Sequence, residues 1–248
     1  MLTIYRTDSP PQHWRAADVV RSAADILWID LVDPEDTERD KAAKLLGAFL
    51  PTRDQISALE LSSRLRADDE MLRLNVPAFV RDDHGHGATT PLAFVLTPKL
   101  LVCVRYAESA AFDATAKSLD GEDPPKTSVD IFVDLIEAIV NVDADRMEAI
   151  AGDLSKLARS VFADTQDHRH QLKSALFQVG AMQREIIQIR STQLGISRML
   201  TYLCDSEHAW IGKGAHADLK MTHKDVDALA EFDQQLSDRL EFLLDAVL

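Results

Sequence analysis

Two aspartates near the carboxy terminus have a residue type and a spacing that suit metal binding. Asp218 and Asp225 are seven residues apart in a segment with helical periodicity, so they lie on one face of the predicted helix. Asp227 follows on the same helix, which also carries an apolar seam. Because carboxylates attract divalent cations, these aspartates could belong to a negative surface that concentrates such ions.

Further acidic residues follow the first of three predicted long helices. Most of them are expected to lie on a solvated face. The functional alternative is a negative surface that attracts divalent cations. The residues are Asp130, Asp134, Glu137, Asp143, Asp145, Glu148 and Asp153.

Two histidine pairs could bind a transition metal such as zinc. Each lies beside acidic residues in a predicted turn or helix junction. The stronger interpretation is that these polar residues are solvated, because neither histidine pair has a second pair of ligands to complete a metal site. The pairs are His84 and His86, beside Asp82 and Asp83, and His168 and His170, beside Asp167.

The composition excludes several functional classes. No phosphate-binding loop, dinucleotide fingerprint, nucleophile elbow or H-E-x-x-H motif occurs in the sequence, so we predict that the chain is not an enzyme. The formal charge of −14 argues against a nucleic-acid surface and favours cations as partners. The two cysteines do not form a disulfide framework and predict a reducing compartment. No stretch resembles a signal peptide or a membrane span of about 20 residues.

The first half of the sequence predicts an α/β module with a mixed or largely antiparallel sheet. Asp33 is the expected N-cap of a helix that ends at Gly47, and a second short helix follows Thr52 and runs to about Leu61. Residues 82–87 are expected to form a turn. The predicted strands are 1–6, 26–31, 71–76, 92–96 and 100–106, the last two paired across a turn at 97–99.

Three long helices are predicted in the second half. They run from about 128 to 163, from about 170 to 203, and from the end of a loop at 205–217 onward. At ~1.5 Å per residue each would be roughly 45–50 Å long, a length typical of spacers or levers. The predicted units are therefore an α/β module (1–125), a long acidic antiparallel helix pair (126–204) and a stalk helix (205–248).

The last helix carries apolar residues in coiled-coil spacing, which we interpret as an oligomer seam. Thr222 and Asp233 interrupt this seam, and Asp233 is either a solvated register point or a polar layer that fixes oligomer order. The sequence ends at Leu248 in an apolar stretch without a capping residue, so we expect the helix to continue in a longer protein. The seam comprises Leu219, Val226, Leu229, Leu236, Leu240, Leu243 and Val247.

An ordered set of segments resembles the CorA family of divalent-cation transporters over essentially the whole chain. No single segment is specific, but their order is. The segments are 27–36 (LWIDLVDPED), 45–47 (LLG), 50–53 (LPTR), 59–64 (LELSSR) with 68–70 (DDE), 92–106 (LAFVLTPKLLVCVRY) and 240–248 (LEFLLDAVL).

The resemblance implies a funnel-shaped homopentamer in the bacterial inner membrane, with this chain on the cytoplasmic side. It implies an α/β/α domain, long acidic helices, and a stalk helix that leads into a first transmembrane helix outside this sequence. Family members transport Mg2+, with Co2+ or Ni2+ as surrogates. Magnesium also bridges carboxylates between neighbouring subunits and holds the closed state.

The resemblance also suggests regulatory metal ligands. Glu60 matches an acidic position on the short helix after Thr52. Its partner should be a stalk acid of the next subunit, but the position that some members fill with aspartate is Met221 here. Asp218 and Asp225, one turn away on either side, are the substitutes.

Two alternatives stay open. The ZntB branch of the family carries zinc, which the histidine pairs favour slightly, and a soluble coiled-coil scaffold is the third hypothesis. A Gly-Met-Asn motif between two membrane spans beyond Leu248 would favour magnesium, and a variant such as Gly-Ile-Asn would favour zinc.

Overall fold

Strands dominate the first half of the chain and long helices the second, as the sequence predicts. The computed structural model describes residues 1–6, 9–14, 25–57, 64–68, 70–81, 87–121, 124–162, 168–206 and 208–247. The strands are β1 (Leu2–Arg6), β2 (Ser9–Trp14), β3 (Ile26–Val32), β4 (Leu65–Asp68), β5 (Met71–Arg81), β6 (Gly87–Leu96) and β7 (Leu101–Arg105). The helices are α1 (Asp36–Leu46), α2 (Arg53–Ile56), α3 (Ala110–Ser118), α4 (Ser128–Val161), α5 (His168–Asp205) and α6 (Lys213–Val247).

The described strands form one mixed sheet in the order β2-β1-β3-β7-β6-β5-β4. Strands β3 and β7 are parallel, with Trp28 opposite Leu101, and the other neighbours are antiparallel. The predicted hairpin is confirmed, since Leu96 pairs with Leu101 across the turn. The predicted sheet type is therefore confirmed.

Alternation along the central strands sends side chains into two separate cores. On β6, Phe94 packs towards α4, where its ring centroid lies 5.3 Å from that of Phe132. Ala93 and Val95 belong to the opposite core, together with Ala42 of α1. Helices thus cover both faces of the sheet, which confirms the α/β/α arrangement.

Helix α1 begins later than predicted. Asp33, the predicted N-cap, has a φ of 41° and donates its backbone N–H to the carbonyl oxygen of Arg105 at 2.8 Å, so it extends the strand contact instead. Glu35 is the N-cap, and its backbone N–H donates to the Glu38 carboxylate at 3.1 Å, as in a capping box. The predicted end at Gly47, with a φ of 74°, is confirmed.

The other short elements were predicted in part. Thr52 caps α2 as expected, but its predicted continuation to Leu61 and most of the turn at 82–87 lie outside the described residues. Strands β2 and β4 and helix α3 were not predicted. Helix α6 begins earlier than predicted, because the backbone N–H of His216 already donates to the carbonyl oxygen of Gly212 at 3.0 Å and closes the first turn.

The three long helices pack together and against the sheet. Met147 of α4, Ile186 of α5 and Leu236 of α6 share one buried cluster. At the sheet, a Cβ added to Gly195 of α5 would lie 2.5 Å from Cδ of Pro77, so this glycine permits close approach of α5 to β5. Helix α5 therefore lies directly against β5 at this point.

Candidate metal-binding surface

Most of the apolar seam of α6 is buried against the same chain, although Leu229 is only partly buried and the side chain of Val247 is not described. Leu219, Leu236 and Leu240 are buried, and they belong to clusters shared with α4 and α5. The sequence interpretation of this stripe as an oligomer seam is therefore wrong. Heptad spacing shows that a stripe needs a partner, and here the partners are two helices of the same chain.

Asp233 is buried and forms an ion pair with a partly exposed arginine on another helix of the same chain. Its Oδ2 accepts from Nε of Arg190 on α5, and Nη2 of Arg190 donates to Oγ of Ser237 at 3.0 Å. Both sequence interpretations of Asp233, a solvated register point and an interchain polar layer, are wrong. Buried carboxylates need a partner, and Arg190 provides it.

The opposite face of α6 is exposed and carries its own seven-residue repeat. Met221 is 58 % exposed and Phe242 is 68 % exposed, and Ala228 and Gln235 between them are also exposed. We call Met221, Ala228, Gln235 and Phe242 the outer stripe. Its spacing suits packing against another helix, and none of its members belongs to a buried cluster of the described chain.

Asp218 and Asp225 lie on either side of Met221, the first residue of the outer stripe. Both are exposed, and they lie three residues before and four residues after Met221, so all three share one side of α6. The predicted common face of the two aspartates is therefore confirmed. Asp227 is also exposed and lies 4.0 Å from Nε2 of His223.

Asp218 lies close to acids on α4. Burial raises the pKa of Asp134, and the negative charges of Glu137, Asp130 and Asp218 raise it further. Like charges interact in this way only at short range in water. The fold thus places the candidate ligand Asp218 near Asp134, one of the acids of α4.

A complete metal site is not formed by this surface alone. Within the described residues, no three histidine, cysteine or acidic side chains converge closely enough to hold a metal ion. Glu60, His84 and His86 lie outside the described residues, and the side chains of His168 and His170 are likewise not described. Their roles stay predictions.

Two buried acids were not identified as such from the sequence. Asp143 was grouped with the acids of α4, but it is only 2 % exposed. Ile139, Asp143, Met147 and Ile150 are three or four residues apart, so helical spacing alone could have placed Asp143 on the buried stripe.

The second is Asp30, which forms a buried ion pair with Arg105. Nη2 of Arg105 donates to Oδ2 of Asp30 at 2.8 Å and Nε donates to Oδ1 at 3.1 Å. Nη1 donates to the carbonyl oxygen of Ala107 at 2.7 Å, and the guanidinium lies 4.6 Å from the ring centroid of Phe112. The sequence signal for this pair was a single charged residue in each of two otherwise apolar strands, β3 and β7. The structure shows that these two strands are parallel neighbours.

Comparison with solved structures defines the class of this fold. It is similar to the soluble domain of CorA from Methanocaldococcus jannaschii, with a TM-score of 0.74 and 14% identity, covering 99% of this chain and 95% of that one. It is also similar to the ZntB cytoplasmic domain from Vibrio parahaemolyticus, with a TM-score of 0.62 and 14% identity, covering 98% and 97%. The architecture is therefore that of the CorA and ZntB domains.

Sequence comparison identifies the family. Residues 23–248 match the family described as CorA-like Mg2+ transporter protein. The magnesium transport protein CorA of Salmonella typhimurium is 26% identical over 234 residues, which cover 92% of this chain and 71% of that protein. The chain belongs to the CorA-like family. Within the described ranges, no helix is both long enough and apolar enough to cross a bilayer.

Proposed function

We propose that this chain is the cation-sensing, regulatory domain of a CorA-type transporter of Mg2+, with Co2+ and Ni2+ as surrogates. It would lie on the cytoplasmic side of the bacterial inner membrane and control a pore through α6. The observation that carries this proposal is the two-sided nature of α6. One side is fixed to α4 and α5 by buried apolar contacts, and the other presents Asp218 and Asp225 to solvent.

The outer stripe supports assembly into a homopentamer. Three of the four residues of the outer stripe are apolar, and a helix with such a seven-residue repeat can pack against symmetry mates around an axis. Met221 and Phe242 are the large apolar members of this stripe, and both are exposed in the single chain. Movement of α4 and α5 would then be transmitted to the axis of the assembly, because the buried side of α6 packs against these two helices.

A divalent cation between subunits would control this assembly electrostatically. Two carboxylates about 4 Å apart repel each other by about 4 kcal/mol at an effective dielectric constant of 20. A bound cation reverses the sign of this interaction, and loss of the cation favours an opened form. Mg2+ suits the role because it retains several water molecules and binds through few carboxylates. We propose Glu60, Asp218 and Asp225 as its ligands, with Glu60 and the stalk aspartates on neighbouring subunits.

Limited proteolysis tests these ligands. We expect millimolar Mg2+ to protect the native oligomer, because the bridging cation closes the interfaces. Replacement of Glu60→Ala together with Asp225→Ala should raise the Mg2+ concentration for half-maximal protection by about tenfold, which corresponds to about 1.4 kcal/mol of binding free energy.

The matched control is Glu231→Ala. Glu231 is exposed on the same helix, but it lies about a third of a turn around α6 from Asp225. This variant should retain the parental Mg2+ dependence. Identical digestion of the parent and the double variant over the whole Mg2+ range would disprove the ligand assignment.

Zinc transport is the second candidate function. The similarity to the ZntB cytoplasmic domain favours it, and the histidine pairs offer imidazole ligands, which zinc accepts and magnesium does not. Saturable uptake of Zn2+ that Mg2+ does not inhibit would select this candidate. Uptake of Mg2+ inhibited by Co2+ would select the first.

A further inference from the structure

A small, partly open cavity lies where α4, strands β5 and β6 and the segment before α3 meet. Its volume is about 20 Å3, which is enough for one water molecule. The lining is mostly apolar, with Phe79 and Ile139 among its members, and Thr90, Ser109 and Asp143 contribute polar groups. Ser109 precedes α3 and lines the cavity, and its hydroxyl does not cap that helix.

Asp143 is the unusual group in this lining. The residue is almost fully buried, and its Oδ2 has no hydrogen-bond partner among the described residues. An ionised carboxylate left in such a place would be strongly destabilising. Burial raises the pKa of Asp143 to about 8, so the group is a neutral acid at pH 7 and can donate a hydrogen bond.

We propose that the carboxyl group of Asp143 and one internal water molecule form a proton-sensitive fastening between α4, the β5–β6 hairpin and the segment before α3. The protonated acid donates to the water, which has the hydroxyl groups of Thr90 and Ser109 as further partners. A buried water typically needs two to four such partners. Loss of the proton places an uncompensated negative charge in the apolar junction and loosens it.

The charged groups around the junction do not relieve that charge. From β7, Arg105 lines the same cavity, but its guanidinium is bound to Asp30 and to Ala107. Glu108, beyond it, also faces Arg105, at 3.6 Å. The described lining residues from β5, β6 and α3 carry no ionisable side chain.

The next charged groups outward are already paired with one another. Arg81 at the end of β5 and Arg146, one turn beyond Asp143 on α4, both contact Glu185 of α5. Asp113 of α3 is exposed. None of these groups is among the causes of the raised pKa of Asp143, which is due to burial alone.

The sign of the pH dependence follows from proton binding. An unfolded aspartate ionises near pH 3.9, whereas folded Asp143 holds its proton up to about pH 8. Between these values the folded chain binds one more proton than the unfolded chain, so stability falls as the pH rises. This contribution is fully present below about pH 4 and is lost as the pH passes through 8.

Unfolding measured from pH 5 to pH 9 tests the proposal with Asp143→Asn. Asparagine has nearly the same shape and hydrogen-bonding capacity as the protonated acid, but it does not ionise. We expect the unfolding equilibrium constant of the parent, divided by that of Asp143→Asn, to rise by up to about tenfold per pH unit up to pH 8. The matched control is Asp145→Asn, an exposed acid on the same helix, whose profile should parallel that of the parent.

Two outcomes would overturn the proposal. One is a parallel pH profile for the parent and Asp143→Asn. The other, which does not require a variant that folds, is a carbon-13 titration of the Asp143 carboxyl in the parent with a midpoint near pH 4. The water is tested by crystallography, and a cavity without density beside Asp143 would remove it from the proposal.

Discussion

Replacement of Asp30 by alanine is expected to destabilise the chain by about 3–5 kcal/mol, because it removes the buried counter-charge of the Arg105 guanidinium and leaves only the exposed carboxylate of Glu108, 3.6 Å away. The side chains of Asp30 and Arg105 are only 4 % and 6 % exposed. Arg105 cannot lose its proton at any accessible pH. The cost should appear as a lower midpoint of guanidinium chloride denaturation with an unchanged slope.

The ion pair of Asp36 with Arg39 provides the matched control. Asp36 is 85 % exposed, and exposed ion pairs contribute about 0–1 kcal/mol. Asp36→Ala should therefore change the free energy of unfolding by no more than about 1 kcal/mol. Equal effects of the two substitutions would mean that the pair of Asp30 and Arg105 is not buried as described.

Truncation of a side chain should lower the free energy of unfolding strongly on the buried side of α6 and hardly at all on the outer stripe. Leu236→Ala removes a fully buried side chain from the cluster that joins α4, α5 and α6, so we expect a loss of about 2–5 kcal/mol in the free energy of unfolding. Met221→Ala on the outer stripe should change it by less than about 0.5 kcal/mol. Equilibrium denaturation of both variants measures the difference.

The same pair of variants separates folding from assembly. If the outer stripe packs against other subunits, Met221→Ala should weaken chemical cross-linking of the native oligomer while leaving the fold intact. A large loss of folding stability in Met221→Ala with no change in cross-linking would contradict the assignment of the two sides.

Local sequence patterns predicted the elements whose causes are local. The hairpin of β6 and β7, the end of α1 at Gly47 and the start of α4 after Thr127 all follow from turn or capping residues. The edge strand β2 was missed because Pro10 and Pro11 break the alternating pattern, although prolines are tolerated at a sheet edge. The short α3 carries too few periodic residues to be recognised.

Tertiary partners were the information that the sequence did not contain. The apolar stripe of α6 was recognised correctly as a seam, but spacing alone cannot distinguish a partner in the same chain from one in another copy. The pairing of Asp233 with Arg190 joins residues 43 positions apart. The pairing of Asp30 with Arg105 spans 75. Such pairs depend on which elements become neighbours, and this is decided by the fold as a whole.

The candidate site shows the same division. Helical periodicity placed Asp218 and Asp225 correctly on one exposed face, because that relation lies within a single helix. The proximity of Asp218 to Asp134 of α4 required the packing of two helices. Proximity of Glu60 to a stalk acid would in addition require the arrangement of subunits, so it remains a prediction.

Magnesium flux through the native gene product that contains this chain, reconstituted in liposomes, tests the central claim most directly. We predict Mg2+ uptake that falls when millimolar Mg2+ is present on the side of the membrane where this domain lies. We predict that the double variant Asp218→Ala, Asp225→Ala weakens that inhibition. Absence of Mg2+ flux would contradict the proposed transport function. Flux with the same Mg2+ inhibition in the parent and the double variant would contradict the proposed role of α6 as the sensor.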